Sequence, residues 1–178
     1  MSASGDDDED VTRRMGRGMA WLAAVALIGL LWLFFEGVEA RRDNPNRKLA
    51  TVPGADTELV LKRNHAGHYI APGTINGRPV TFMLDTGATQ VAIPAKLGAS
   101  LGLPAGPVIR VSTANGHVEA RMTTISELGL GPFVARQVQG SLNPGMDHDD
   151  MILLGMNVLR HLEFTQRGDT LILRALPR

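Results

Sequence analysis

The most informative segment of the chain is Val80-Thr81-Phe82-Met83-Leu84-Asp85-Thr86-Gly87-Ala88-Thr89. Its first five residues form an apolar run with β-branched and aromatic members, which predicts a buried strand. The run stops at Asp85, and glycine and aspartate are residues that tight turns favour. The segment therefore predicts a strand that ends in a turn carrying a carboxylate. Taken alone, this turn is more typical of an ordinary strand-ending turn than of a reactive site.

A second apolar run, Ile152-Leu153-Leu154-Gly155, lies far downstream and also closes on a glycine. By itself it predicts only a core strand.

Short extended runs alternate with turn signals over most of the chain. Asn76-Gly77 and Asn115-Gly116 each predict a β-hairpin, since both central residues of a type I′ turn need a positive φ. A short helix is expected at 95–102 and a helical turn at 157–162. Strands are expected at 58–62, 68–75, 79–84, 91–94, 108–113, 118–124, 125–130, 133–138, 164–165 and 170–173. This pattern predicts an all-β fold, a small closed β-barrel with one short helix near the C-terminus.

Composition limits the classes of function. The 178 residues include 18 basic and 18 acidic side chains, so there is no net positive charge for broad nucleic-acid binding. Cysteine is absent, which excludes disulfides, thiolate zinc sites and a cysteine nucleophile. The acidic stretch Asp147-His148-Asp149-Asp150 reads as a solvated loop, because contiguous residues rarely converge on one ion. No metal and no cofactor are expected.

The N-terminal region predicts a membrane attachment. Residues 1–18 include an acidic run and are expected to be a disordered tail. Residues 19–38 are expected to be a transmembrane anchor, since about 20 apolar residues span a bilayer, and 39–56 a linker to a domain at 57–178. The alternative is a cleaved signal peptide ending near Val38-Glu39-Ala40, although the apolar run exceeds the usual signal core. Arginines on both sides of the span leave its orientation open.

The two glycine-closed motifs together resemble the signatures of retropepsin-like (clan AA) aspartic proteases, in particular the membrane-anchored bacterial type with a single span. Asp85-Thr86-Gly87-Ala88 resembles the catalytic loop, and Leu153-Leu154-Gly155 the segment that runs behind it. The resemblance covers roughly 57–175. It implies a retropepsin-like barrel, an aspartic endopeptidase activity, and a single-pass protein of the bacterial inner membrane with a periplasmic protease domain.

The resemblance also implies roles for individual residues. Asp85 would be the catalytic carboxylate, and Thr86 would hydrogen-bond across a dimer axis. Gly87 and Ala88 would support the active-site loop, with Gly155 behind it. The flap that closes over substrate would be the hairpin at Asn115 and Gly116.

The number of motifs implies an assembly. Such proteases work with two carboxylates, whereas this chain carries one Asp-Thr-Gly motif. The second would come from another copy, which implies a homodimer. Expected partners are a protein or peptide substrate, a second copy, and membrane lipid through 19–38, but no nucleic acid. Two alternatives are a catalytically silent peptide-binding or dimerisation module of the same fold and an anchored scaffold without a peptide site.

Overall fold

The computed structural model describes residues 6–49, 58–113 and 116–176. These residues contain helix α1 (Asp6–Asp43), the short helix α2 (Met156–Leu159), and two 3₁₀ turns at Ala95–Leu97 and Pro144–Met146. They also contain ten strands: β1 (Glu58–Lys62), β2 (Tyr69–Ile75), β3 (Arg78–Leu84), β4 (Val91–Pro94), β5 (Val108–Thr113), β6 (Gly116–Leu130), β7 (Phe133–Asn143), β8 (Met151–Leu154), β9 (Leu162–Arg167) and β10 (Thr170–Ala175).

Six of these strands form a closed barrel. Their order is β2-β3-β8-β4-β7-β6, and β6 pairs back to β2 through the register Gly73–Leu130. Most neighbours are antiparallel, but β3 with β8 and β4 with β7 are parallel. Strand β5 extends the sheet beyond β6. The all-β closed barrel predicted from the sequence is therefore confirmed.

A second, three-stranded sheet covers the barrel core. Its order is β1-β10-β9, with antiparallel pairs throughout. Alternate residues of its strands are buried, so that Leu59, Leu61, Leu171 and Leu173 join the barrel interior. This alternation is what a sheet with one buried face requires.

Close packing in the barrel depends on a glycine beside a large ring. Phe82 is fully buried at the centre of β3. Its cross-strand neighbourhood includes Gly73, where a Cβ would lie 2.5 Å from a ring carbon of Phe82 and 2.5 Å from the carbonyl oxygen of Gly129. Because real side chains do not tolerate such distances, the ring fits only against a glycine.

Helix α1 is longer than the apolar run within it. It starts at Asp6, within residues expected to form a disordered tail, and continues to Asp43, because no proline interrupts the sequence before Pro45. Contacts divide the chain into two units, 1–41 and 42–178. Among the residues that the structure describes, none of the helices combines the length and apolar character required to cross a bilayer. The transmembrane span predicted at 19–38 is not confirmed.

The residues after α1 fold against the barrel through one buried side chain. Asn46 is 4% exposed, although it lies in the segment 39–56 predicted as a linker. Its Oδ1 accepts from the Lys62 backbone N–H at 2.8 Å, and its Nδ2 donates to the carbonyl oxygens of Lys62 (2.8 Å) and Ile70 (2.7 Å). One side-chain amide thus forms hydrogen bonds with three backbone groups, two on Lys62 and one on Ile70.

The structure confirms one of the two hairpin turns predicted from the sequence, the turn at Asn76 and Gly77. Asn76 and Gly77 have φ values of 50° and 76°, as the predicted type I′ hairpin requires. Asn115 lies outside the described residues, while Gly116 begins β6 with a φ of 107°.

Two element lengths also differ from expectation. β6 is one continuous strand rather than two, because β7 pairs along most of its length. The helix predicted at 95–102 is a single 3₁₀ turn followed by further turns that end at Gly102, where φ is 66°.

We predict that Asn46→Ala lowers the free energy of unfolding by about 2 kcal/mol or more, because buried backbone groups lose their partners. Urea unfolding followed by circular dichroism measures this. The control is Asn64→Ala, whose hydrogen bonds are exposed and can be replaced by water. Equal stability losses in the two variants would contradict the role given to Asn46.

Candidate active site

The loop that carries Asp85 crosses over the end of a strand. Residues 85–90 join β3 to β4, and β8 lies between those two strands in the sheet. Leu84 of β3 is opposite Leu154 of β8 in a parallel ladder, and Ala92 of β4 is opposite Leu153. The chain therefore passes from one side of β8 to the other at the point where β8 ends.

Gly155 is the residue over which the loop passes. A Cβ at this position would lie 2.5 Å from the carbonyl oxygen of Gln90 and 2.8 Å from that of Ala88. Backbone atoms cannot move aside as the end of a flexible side chain can. Only glycine fits at this crossing unless the loop is displaced.

Hydrogen bonds fasten the loop to the same segment on both sides of the crossing. The Asp85 N–H donates to the Leu154 carbonyl oxygen at 3.1 Å. On the far side, the Met156 N–H donates to the Ala88 carbonyl oxygen at 2.8 Å, and the Asn157 N–H donates to that of Thr89 at 3.0 Å. The loop thus has a fixed position relative to β8 and α2.

The Asp85 side chain is oriented by its own loop. Its Oδ1 accepts from the Gly87 N–H at 2.8 Å, and the Ala88 N–H bonds to the Asp85 carbonyl oxygen at 3.3 Å. A Cβ on Gly87 would lie 3.1 Å from the same Oδ1, a tight contact. Asp85 is half-buried, whereas Thr86 and Gly87 are exposed at the tip of the loop. The carboxylate is therefore held at the surface in one orientation with a free oxygen, Oδ2, outside this turn.

The structure brings some of the predicted site residues together. Asp85 contacts Gly87 and Ala88 within the loop, and Ala88 in turn lies against Gly155 at the crossing. The other predicted element is the hairpin of β5 and β6, in which Thr113 is opposite Gly116 and the Thr113 hydroxyl donates to the Gly116 carbonyl oxygen at 2.8 Å.

Sequence reasoning missed Asn157, a further polar residue beside the Asp85 loop. It lies on α2, and its Nδ2 donates to the carbonyl oxygen of Gln139 on β7 at 2.7 Å. The available signal was a lone amide in the otherwise apolar stretch Met156-Asn157-Val158-Leu159, two residues after Gly155.

A barrel whose Asp-Thr-Gly loop crosses a glycine-ended strand defines an aspartyl protease fold. The profile of a family described as "gag-polyprotein putative aspartyl protease" matches residues 71–161, which include both Asp85 and Gly155. The chain belongs to this family of retropepsin-like aspartyl proteases.

Two curated relatives are similar to this chain. An uncharacterized protein in the cobV 5′ region of Sinorhizobium sp is 34% identical over 143 residues, covering 72% of this chain and 61% of the relative. An uncharacterized protein of Rickettsia prowazekii (strain Madrid E) is 28% identical over 133 residues, covering 72% of this chain and 55% of the relative. The chain therefore spans less than two thirds of the length of these relatives.

A solved structure supports the fold assignment. The crystal structure of a retropepsin-like aspartic protease from Rickettsia conorii superimposes with a TM-score of 0.53 at 26% sequence identity. The match covers 67% of this chain and 93% of that protein. The retropepsin-like barrel expected from the sequence is therefore confirmed by a known structure as well as by the strand order.

We predict that Gly155→Ala displaces the Asp85 loop, because the new Cβ meets the carbonyl oxygens of Ala88 and Gln90. Overpacking of this kind costs about 1–3 kcal/mol of stability. Thermal unfolding measures this cost. Gly37→Ala is the matched control, since a Cβ there meets nothing within 4 Å. A Gly155→Ala protein with the parent's melting temperature would show that the crossing is looser than described.

Proposed function

We propose that this protein is an aspartic endopeptidase that hydrolyses peptide bonds with a water molecule activated by two carboxylates. Each subunit of a homodimer contributes one of them, Asp85. The observation that carries the proposal is the Asp85 loop itself, oriented by its own backbone N–H groups and fastened across β8 at Gly155. Membership of the aspartyl protease family and the retropepsin-like barrel support the same reaction class.

The chemistry follows from two carboxyl groups placed side by side. Two carboxylates about 3 Å apart cannot both ionise, so they share one proton and titrate as a unit. The ionised group removes a proton from water while the water oxygen bonds to the carbonyl carbon, and the protonated group donates to the carbonyl oxygen. When the tetrahedral intermediate collapses, the C–N bond breaks and the leaving nitrogen takes the proton that the base removed from water. The proton on the former carbonyl oxygen returns to the other carboxylate, which restores the starting pair.

The single motif and the position of its loop support the proposed homodimer. The described part of the chain contains one Asp-Thr-Gly motif, and a two-fold axis places identical loops face to face. Thr86 and Gly87 are exposed at the tip, where a second copy can approach. In this assembly Thr86 would hydrogen-bond across the axis and fix the distance between the two Asp85 carboxylates.

The hairpin of β5 and β6 completes the proposed site. Its tip, at Asn115 and Gly116, would close over a bound peptide and exclude water from the carboxylates. Substrates are extended peptide segments of proteins, since an extended chain can pair with the arms of such a hairpin.

The location at the bacterial inner membrane, with a periplasmic protease domain, stays a prediction from the sequence. It rests on the apolar run within 19–38, whose described large side chains, such as Trp21 and Phe35, are exposed on α1. Tethering copies to one membrane would raise their effective concentration and favour pairing.

We predict that Asp85→Asn reduces turnover of a peptide substrate by about 10²- to 10⁴-fold or more, because an amide cannot act as the base. A mixed peptide library identifies the bonds that the parent cleaves, and initial rates on those peptides compare the variants. Circular dichroism checks the fold.

The matched control is Asp169→Asn, which changes an exposed aspartate in the turn between β9 and β10. It should retain the parent's rate. Turnover that survives in a folded Asp85→Asn variant would refute the assignment. Peptide binding without cleavage by the parent would instead favour the catalytically silent module.

A further inference from the structure

Asn157 joins the exit of the Asp85 loop, α2 and β7 through its backbone and its side chain. Its backbone N–H holds the carbonyl oxygen of Thr89, the next-to-last residue of the loop, at 3.0 Å. Its Nδ2 holds the carbonyl oxygen of Gln139 at 2.7 Å. A single residue of α2 therefore ties the catalytic loop to β7.

The Gln139 carbonyl lies on β7 just beyond the end of its pairing with β4, at a point where β7 is still paired with β6. β4 pairs with β7 in parallel from Val91 opposite Gly140, so Gln139 is the first β7 residue beyond that pairing. The Asn157 amide bonds to β7 one residue beyond the β4 pairing. This hydrogen bond therefore continues the attachment to β7 beyond β4, to the residues of the loop that precede β4.

The side-chain amide of Asn157 also makes one unfavourable contribution to stability. Asn157 Oδ1 is buried and has no hydrogen-bond partner in the described structure. Burying an unpaired amide oxygen is unfavourable, whereas an apolar side chain of similar size, like those of Val158 and Leu159 beside it, would avoid the penalty. The useful part of the side chain is therefore the donor Nδ2, not the oxygen.

We propose that Asn157 is a positioning residue for the Asp85 carboxylate, an inference that rests on the proposed peptidase function. The route has three short steps. Asn157 and Met156 fix the carbonyls of Thr89 and Ala88, and the adjacent Gly87 N–H holds Asp85 Oδ1. When Gln139 is not held by Nδ2, α2 and the loop exit can shift together, and the carboxylate turns with them.

The test uses two variants of the full chain, Asn157→Asp and Asn157→Leu, with the peptide that the parent cleaves best. Both lose the Nδ2 donor. We expect kcat to fall by about 10- to 100-fold with KM nearly unchanged, since a small misplacement of a reacting group has an effect of this size. A purely structural role would lower the melting temperature without lowering kcat per folded molecule.

A pH profile separates the hydrogen bond from packing. In Asn157→Asp a carboxylate faces the Gln139 carbonyl and repels it, but a protonated carboxyl can donate to it in place of Nδ2. The ratio of this variant's kcat to the parent's should therefore rise as the pH is lowered. Dividing by the parent's value removes the pH dependence that both proteins share. Asn157→Leu has no proton to regain, so its ratio should stay low at every pH.

The matched control is Asn143→Asp on β7. This asparagine is buried, and its Oδ1 accepts from the Gly145 N–H at 2.9 Å, which a carboxylate can equally do. Its kcat ratio to the parent should be near one and independent of pH.

Two outcomes would overturn the inference while leaving the peptidase intact. One is a kcat for Asn157→Asp within about twofold of an active parent, and the other is a kcat ratio that does not change with pH. An inactive parent would instead contradict the proposed function. If neither variant folds, nuclear magnetic resonance of the parent decides. A nuclear Overhauser contact should join the Nδ2 protons of Asn157 to β7 at Gln139, and its absence would refute the hydrogen bond.

Discussion

The structure depends on one backbone contact, the crossing of the Asp85 loop over Gly155. Carbonyl oxygens of the loop occupy the space in which any Cβ at Gly155 would stand. Because the loop passes so close, its peptide groups can bond to Leu154, Met156 and Asn157 in sequence. An acidic residue in an exposed loop would ordinarily be mobile. Here the crossing holds it at a defined position, which the proposed reaction with two aligned carboxylates needs.

The barrel is the means by which this crossing is built. β8 inserts between β3 and β4, although β3 and β4 are neighbours in the sequence and β8 comes much later. The loop between them must therefore pass over the end of β8. Burial then fixes the register, because Phe82 and Ile152 are fully buried partners in the β3–β8 ladder and a shift by one residue would expose both.

Local signals in the sequence predicted the parts of the site that depend on local chemistry. Asp85 at the end of an apolar run, Gly155 at the end of another, and the turn at Asn76 and Gly77 are all readable from neighbouring residues. The insertion of β8 between β3 and β4 is not, because it is set by long-range packing. Asn157 and Asn46 were missed for the same reason: their partners Gln139 and Ile70 are distant in sequence. The extent of α1 was underestimated, since the acidic run suggested a tail although no proline interrupts the helix.

The central claim is that one active site is shared between two copies of Asp85, and subunit mixing tests it most directly. A fixed amount of wild-type chain is combined with increasing amounts of inactive Asp85→Asn chain and allowed to exchange subunits, and peptide cleavage is measured. If each site needs two intact copies, mixed dimers are inactive, and at equal amounts the activity per wild-type chain falls to about one half, then towards zero with excess variant. Activity per wild-type chain that stays constant at every ratio, with exchange verified by mass spectrometry, would contradict the shared site.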